Sequence, residues 1–167
     1  MGAQAKRQFA LDTNVLFDLA RNEDFAHTFL EVSIEKGYFL FVTPTVVQEL
    51  DFLRSDPEDG EFACRALRRM LEWKITPYDL FAVGHGITEQ FALSLIRKGF
   101  LPEAEFNDGQ ILAETSLAGI PVLITSDSHI LSIDPSGLNA AFADKDLHPV
   151  AAMAPKNVLR AFGASWK

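Results

Sequence analysis

Two short apolar runs in this chain each stop on an aspartate. Phe9-Ala10-Leu11 ends on Asp12, and Val122-Leu123-Ile124 runs through Thr125 and Ser126 to Asp127. Apolar runs this short, bounded by polar residues, read as strands buried on both faces, which is the habit of parallel sheets. Between them the apolar residues recur at helical spacing, and strands alternating with helices predict a parallel sheet covered on both sides. The expected architecture is therefore a three-layer α/β/α sandwich with a central, mainly parallel sheet. In such sheets ligands gather at the carboxyl ends of the strands, which is where Asp12 and Asp127 stand.

The rest of the chain fits that scheme. A helix starts at Asn14, which can cap it, and puts Val15, Leu16 and Leu19 on one face. A second runs from about Glu23 to Lys36, with Gly37 as its stop. A strand over 38–42 leads into Thr43-Pro44, a cap followed by proline at the first helical position, and a helix to about Arg54. After a turn-rich break at 55–60 the pattern predicts a helix over 61–73, a short strand over 75–78 and a helix over 88–98. The last third reads as a helix over 107–118 stopped by Gly119, a strand over 121–125, and a short helix to Ile133. A loop at 134–137, a strand over 150–153 and a closing helix over 155–162 complete the chain. Neither repeats nor a linker interrupt it, so residues 1–167 are expected to form one domain.

Composition narrows the function. The 167 residues carry a net charge of −8, which argues against a protein that holds nucleic acid by bulk positive charge. It leaves open an enzyme that meets phosphates through metal ions. The single cysteine, Cys64, excludes an internal disulfide and a cysteine zinc site. Apolar runs fall far short of a membrane span, and the start, with Lys6 and Arg7 before a brief apolar stretch and Asp12, is not built like a signal peptide. The expectation is a cytoplasmic protein with no membrane partner.

Two further acids are conspicuous by position. On the helix after Pro44, Val46, Leu50 and Leu53 form the apolar stripe, and Glu49 lies on or beside it. Asp108 opens the helix that carries Ile111, Leu112 and Thr115, so it can point back to the sheet edge. Each acid alone has an ordinary explanation as a cap or turn residue. Together, with no lysine or arginine adjacent in any of the four segments, they would repel one another in one cleft. Hard divalent cations such as Mg²⁺ or Mn²⁺ supply the missing charge.

The segments Leu11-Asp12-Thr13-Asn14-Val15-Leu16, Thr43-Pro44-Thr45-Val46-Val47-Gln48-Glu49-Leu50, Asn107-Asp108-Gly109-Gln110-Ile111-Leu112-Ala113 and Leu123-Ile124-Thr125-Ser126-Asp127 resemble, in order and approximate spacing, the four motifs of PIN-domain proteins. The resemblance spans roughly Phe9 to Phe162. It implies a metal-dependent ribonuclease akin to the VapC-type toxins of bacterial toxin–antitoxin pairs. It also implies that Asp12, Glu49, Asp108 and Asp127 form the catalytic, metal-binding acid cluster, with Asn14 and Thr125 as the polar groups behind it. RNA substrate, an antitoxin partner and a homodimer are implied in the same way. Where many relatives carry another acid two residues after the fourth, this chain has His129.

Weaker signals remain. Arg65, Arg68 and Arg69 fall at helical spacing and can present phosphate-binding charge, or else pair with Glu61 and Glu72 on a solvated face. His85, between Gly84 and Gly86, reads as an incidental turn histidine. Cys64, with Leu67 and Leu71 at its helical steps, reads as core, as do most of the fourteen phenylalanines; the side bearing Phe17, Phe25 and Phe29 is a candidate docking face. A non-catalytic module on the same scaffold is the alternative to a nuclease. A phosphoacceptor receiver lacks its paired acid after Asp12, and a dinucleotide binder lacks its glycine-rich turn.

Overall fold

The structure, a computed structural model, describes residues 6–163; residues 1–5, where the sequence was read for a leader, and 164–167 lie outside them. Five strands make one parallel sheet: β1 (Gln8–Leu11), β2 (Phe39–Val42), β3 (Ile75–Pro77), β4 (Val122–Ile124) and β5 (Ala151–Met153), in the order β3-β2-β1-β4-β5. Phe9 is in register with Leu40 on one side and Val122 on the other, so β1 is the central strand. Its residues Ala10 and Leu11 are completely buried, as an apolar run without alternation requires.

The helices are α1 (Thr13–Ala20), α2 (Asp24–Glu35), α3 (Pro44–Leu53), α4 (Gly60–Arg69), α5 (Ala82–Arg97), α6 (Phe106–Leu117), α7 (Ser128–Leu131), α8 (Pro135–Asp144) and α9 (Pro155–Ala161), with a 3₁₀ turn at Glu103–Glu105. The first two crossovers step from β1 to β2 to β3; the third returns across the sheet to β4 and the fourth continues to β5. Right-handed connections therefore place α1 to α4 on one face and α5 to α8 on the other. The packing agrees: α1, α2, α4 and α9 contact one another in series, as do α6, α5 and α8, while α3 reaches from α4 to α6. This is the expected α/β/α sandwich. The faces that periodicity assigned to the core, Val15, Leu16 and Leu19 on α1 and Ile111, Leu112 and Thr115 on α6, are all fully buried.

Several local expectations need correction. Asp12, not Asn14, caps α1: its carboxylate accepts from Thr13 N at 2.8 Å. Helix α5 begins at Ala82, so Gly84-His85-Gly86 lies in its first turns and not in a loop. Helix α8 opens within 134–137, where a loop was expected; Asp134 accepts from Gly137 N at 2.9 Å and Pro135 takes the first helical position. On α4 the buried stripe is Ala63 and Ala66, continued by Met70, while Cys64 is half-buried and Leu71 is 86% exposed. Phe17 and Phe29 are buried and Phe25 packs against the core, so that side offers no open aromatic face; the exposed phenylalanines are Phe39, Phe52 and Phe81.

Candidate metal centre

The crossovers that leave β1 and β4 depart in opposite directions, which opens a crevice at the carboxyl ends of these two neighbours. Asp12 follows β1 directly and its main-chain N–H still bonds Ile124 O of β4 at 2.9 Å, so the ladder holds it at the mouth of the crevice. Its carboxylate is 3% exposed and fully engaged. Oδ1 accepts from Thr13 N; Oδ2 accepts from Thr125 Oγ1 at 2.7 Å and from Asn14 Nδ2 at 3.2 Å. Thr125 Oγ1 accepts in turn from Asp127 N at 3.0 Å, and Asn14 Oδ1 accepts from Ser126 N at 3.0 Å. Asn14 and Thr125 thus tie the end of β1 to the end of β4.

Thr13 makes a second link. Its N–H serves Asp12, while its hydroxyl donates to Glu49 Oε2 at 3.1 Å, bringing the α3 acid to the same rim. Asp108, in the first turn of α6 and 8% exposed, faces Asp127, and Glu105 from the preceding 3₁₀ turn completes a triad. One carboxylate oxygen from each of Glu105, Asp108 and Asp127 lies within 4.8 Å of the other two. The four acids expected from sequence therefore share one neighbourhood in two groups: Asp108 and Asp127 around the triad, Asp12 and Glu49 joined beside it through Thr13. Glu105 escaped the sequence reading because nothing in its spacing separates it from Glu103, two residues earlier.

The electrostatics are those of a site short of positive charge. Among the described residues, none of the lysines or arginines forms an ion pair with any of these five acids. His129 Nε2 lies 3.9 Å from Glu105 Oε1, and the His129 main-chain N–H donates to Asp127 Oδ1 at 2.8 Å, so an imidazole stands beside the triad. Burial, reinforced by Asp12, Asp127 and Glu105, pushes the Asp108 carboxyl up to about 10. Burial, reinforced by Asp12 and Glu105, pushes Glu49 up to about 7 against the bond from Thr13. Asp12 is also raised, by burial first and Asp127 second, with the three hydrogen bonds opposing. Asp108 Oδ2 is buried with no hydrogen-bond partner. A buried carboxylate with an orphaned oxygen, grouped with two more carboxylates, fits a hard divalent cation, whose preferred ligands are such oxygens and water.

Neighbouring solved structures share this architecture. VapBC2 from Rickettsia felis, bound to a DNA fragment from their promoter, superimposes with a TM-score of 0.60 at 18% identity over 88% of this chain and 98% of that one. FitAcB from Neisseria gonorrhoeae gives 0.54 at 20% identity, over 89% of this chain and 98% of its own. FitAB bound to IR36 DNA gives 0.52 at 19% identity, over 88% and 94%. The chain carries a PIN-like fold. No family model and no curated protein matches its sequence, so the kinship is one of architecture. The PIN fold here sets Asp12 and Asp127 on adjacent strands, with α3 and α6 delivering Glu49 and Asp108 from either side.

The basic residues lie elsewhere. Arg65 Nη1 donates to Ala20 O at 2.6 Å and Nη2 to Glu61 Oε1 at 3.3 Å, pinning α4 to the carboxyl end of α1. That end is about 12 Å along the helix from Asp12. Arg69 pairs with Glu72 at 3.9 Å, and Arg68 is exposed on the same helix. His85 Nε2 lies 3.0 Å from Asp79 Oδ1 on the surface. No helix among the described residues is long and apolar enough to cross a membrane.

Proposed function

We propose that this chain is a single-domain, metal-dependent endoribonuclease that hydrolyses phosphodiester bonds of RNA with Mg²⁺ or Mn²⁺. The observation that carries the reading is the Asp108 carboxylate at the crevice between β1 and β4, one oxygen buried without a partner and the group within 4.8 Å of Glu105 and Asp127. Asp108, Asp127 and Glu105 would hold the cation, with Asp12 adding charge from the mouth of the crevice and Glu49 completing the cluster through water. When bound, the ion supplies charge neutralisation at the phosphate and lowers the pKa of water.

The chain's own residues do the rest. Thr125 and Asn14 hold Asp12 in one rotamer, which preorganises the negative wall of the site. Glu49, anchored by Thr13 on one oxygen, keeps Oε1 to orient the attacking water and take its proton. The likeness to VapC-type toxins supports a place in a toxin–antitoxin pair, with an antitoxin and a second copy of the chain as partners; Arg68 is the arginine of α4 best placed to meet RNA.

The test is cleavage of a mixed single-stranded RNA with Mn²⁺, Mg²⁺ or chelator, wild type beside Asp12→Asn and Asp127→Asn. Metal-dependent cleavage by wild type and a loss of at least about 100-fold in both variants are expected. Metal-independent cleavage, or full activity in either variant, would refute the assignment. Metal and RNA binding without cleavage would favour a non-catalytic module.

A further inference from the structure

Glu114 is a third buried acid, beside Asp12 and Asp108, and lies outside the cluster. It is 1% exposed, and no lysine or arginine among the described residues pairs with it. A carboxylate so placed costs several kcal/mol unless something else supplies positive potential. The amino end of α3 does so. Glu114 Oε1 accepts from Thr45 N at 3.1 Å and Oε2 accepts from Thr45 Oγ1 at 2.8 Å. The ten-residue α3 directs its dipole at the carboxylate.

The first turn of α3 is thereby closed. Pro44 has no N–H to satisfy, Thr45 N serves Glu114, Val46 N bonds Thr43 Oγ1 at 3.4 Å and Val47 N bonds Thr43 O at 3.2 Å. The Glu114 main chain is gripped as well, since Tyr78 Oη donates to its carbonyl at 2.9 Å. One turn beyond Thr45 on α3 stands Glu49. Six residues before Glu114 on α6 stands Asp108, about 9 Å along the axis. The same pair of helices thus carries two acids of the metal centre and, beside them, one carboxylate that bolts the pair together.

We infer that Glu114 is a positioning residue: by clamping Thr45 it sets where Glu49 stands relative to Asp108. The inference rests on the reading of these two acids as parts of one metal centre. A rigid carboxylate-to-helix link across 69 residues of chain is more than core packing needs, because an apolar side chain would fill the same space without the desolvation cost. What it adds is a directional constraint on the first turn of α3.

The experiment uses the full chain and three variants, Glu114→Ala, Glu114→Gln and Thr45→Val, with Phe142→Leu on α8 as a control lowered in stability away from the site. Melting temperature, amide exchange over residues 45–47 and calorimetric titration with Mn²⁺ are measured on each. Glu114→Ala is expected to exchange faster at those amides and to lose about 10-fold to 100-fold in Mn²⁺ affinity. Thr45→Val, which keeps the N–H bond, should fall between it and wild type. Glu114→Gln, whose carbonyl still accepts from Thr45 N, should recover most of the affinity. The control should bind Mn²⁺ like wild type despite its lower melting temperature. Unchanged Mn²⁺ affinity in Glu114→Ala, or an equal loss in the control, overturns the inference and makes Glu114 merely structural. If wild type binds no Mn²⁺, the nuclease reading fails instead, and the clamp is then refuted if amide exchange at 45–47 is the same in Glu114→Ala as in wild type.

Discussion

Replacing Asp108 with asparagine should stabilise the metal-free protein, and by more at neutral than at acid pH. Two carboxylates at 4.8 Å repel by about 3.5 kcal/mol at an effective dielectric of 20, so ionising Asp108 beside Glu105 and Asp127 costs about 7 kcal/mol before desolvation. Keeping its proton at pH 7 costs less, about 4 kcal/mol, because the unfolded chain would have released it near pH 4. The cheaper state wins, in line with a carboxyl pushed up to about 10. An acid whose pKa rises on folding gives its full contribution below its unfolded value and loses about 1.4 kcal/mol per pH unit as pH climbs toward the folded one. Asparagine is neutral at every pH and carries none of this penalty. We expect Asp108→Asn to gain about 2 to 4 kcal/mol over wild type at pH 7 in chelator, roughly 4 to 16 °C in melting temperature, and less than half of that at pH 5. Saturating Mn²⁺ should reverse the order by raising wild type alone. Denaturant and thermal melts at the two pH values decide it: a variant no more stable than wild type at pH 7, or with a gain independent of pH, would show that these carboxylates do not oppose one another.

Three further outcomes follow from the same geometry. Mn²⁺ must displace the proton held by Asp108, so its affinity should rise with pH between 6 and 8 by up to about tenfold per unit, with proton release visible as buffer-dependent calorimetric heat. Thr125→Val removes the hydroxyl that bridges Asp12 Oδ2 and Asp127 N; leaving Asp127 N without this partner and Asp12 Oδ2 with Asn14 alone, beside a fully buried position, should cost about 1–3 kcal/mol in urea melts. Gly109→Ala would bring a methyl group to 2.7 Å from Ala92 Cα and 2.8 Å from its Cβ, and because backbone cannot yield, α5 must move off α6 at a cost of about 1–3 kcal/mol, read as a lower denaturation midpoint.

The parts of this fold that were legible in sequence are those decided locally. Phe9-Ala10-Leu11 must be a buried strand because a run without alternation has no solvent face, and Thr43-Pro44 opens a helix by its own chemistry. What stayed hidden was settled by distant packing. Gly137 suggested a loop, yet it lies in α8 because the Phe100 ring takes the space a side chain would need, 2.8 Å from where a Cβ would stand. Gly84 and Gly86 suggested a turn, yet α5 runs through them, and at Gly84 a Cβ would lie 3.2 Å from Leu80 Cβ. At Gly137 and Gly84 a glycine taken as a break is a close contact within a helix, while Gly86 faces open space.

The candidate site divides along the same line. Asp12 and Asp127 were legible because a strand end fixes a position in space, and Asp108 and Glu49 because one opens a helix and the other sits on an apolar stripe. Glu105 and Glu114 were not, since an acid in a polar turn and an acid near the end of a helix both have solvent as their default neighbour. Only the return of the chain from β3 to β4 brings α6 against α3 and turns Glu114 inward to Thr45, just as it turns Glu105 toward Asp127. The two illegible acids lie on either side of Asp108 in the third crossover, the connection that reverses the direction of the sheet. That reversal is also what opens the crevice between β1 and β4. One topological event thus creates the site and conceals part of it from any local reading, so acids on such a crossover merit mutation even where no pattern marks them.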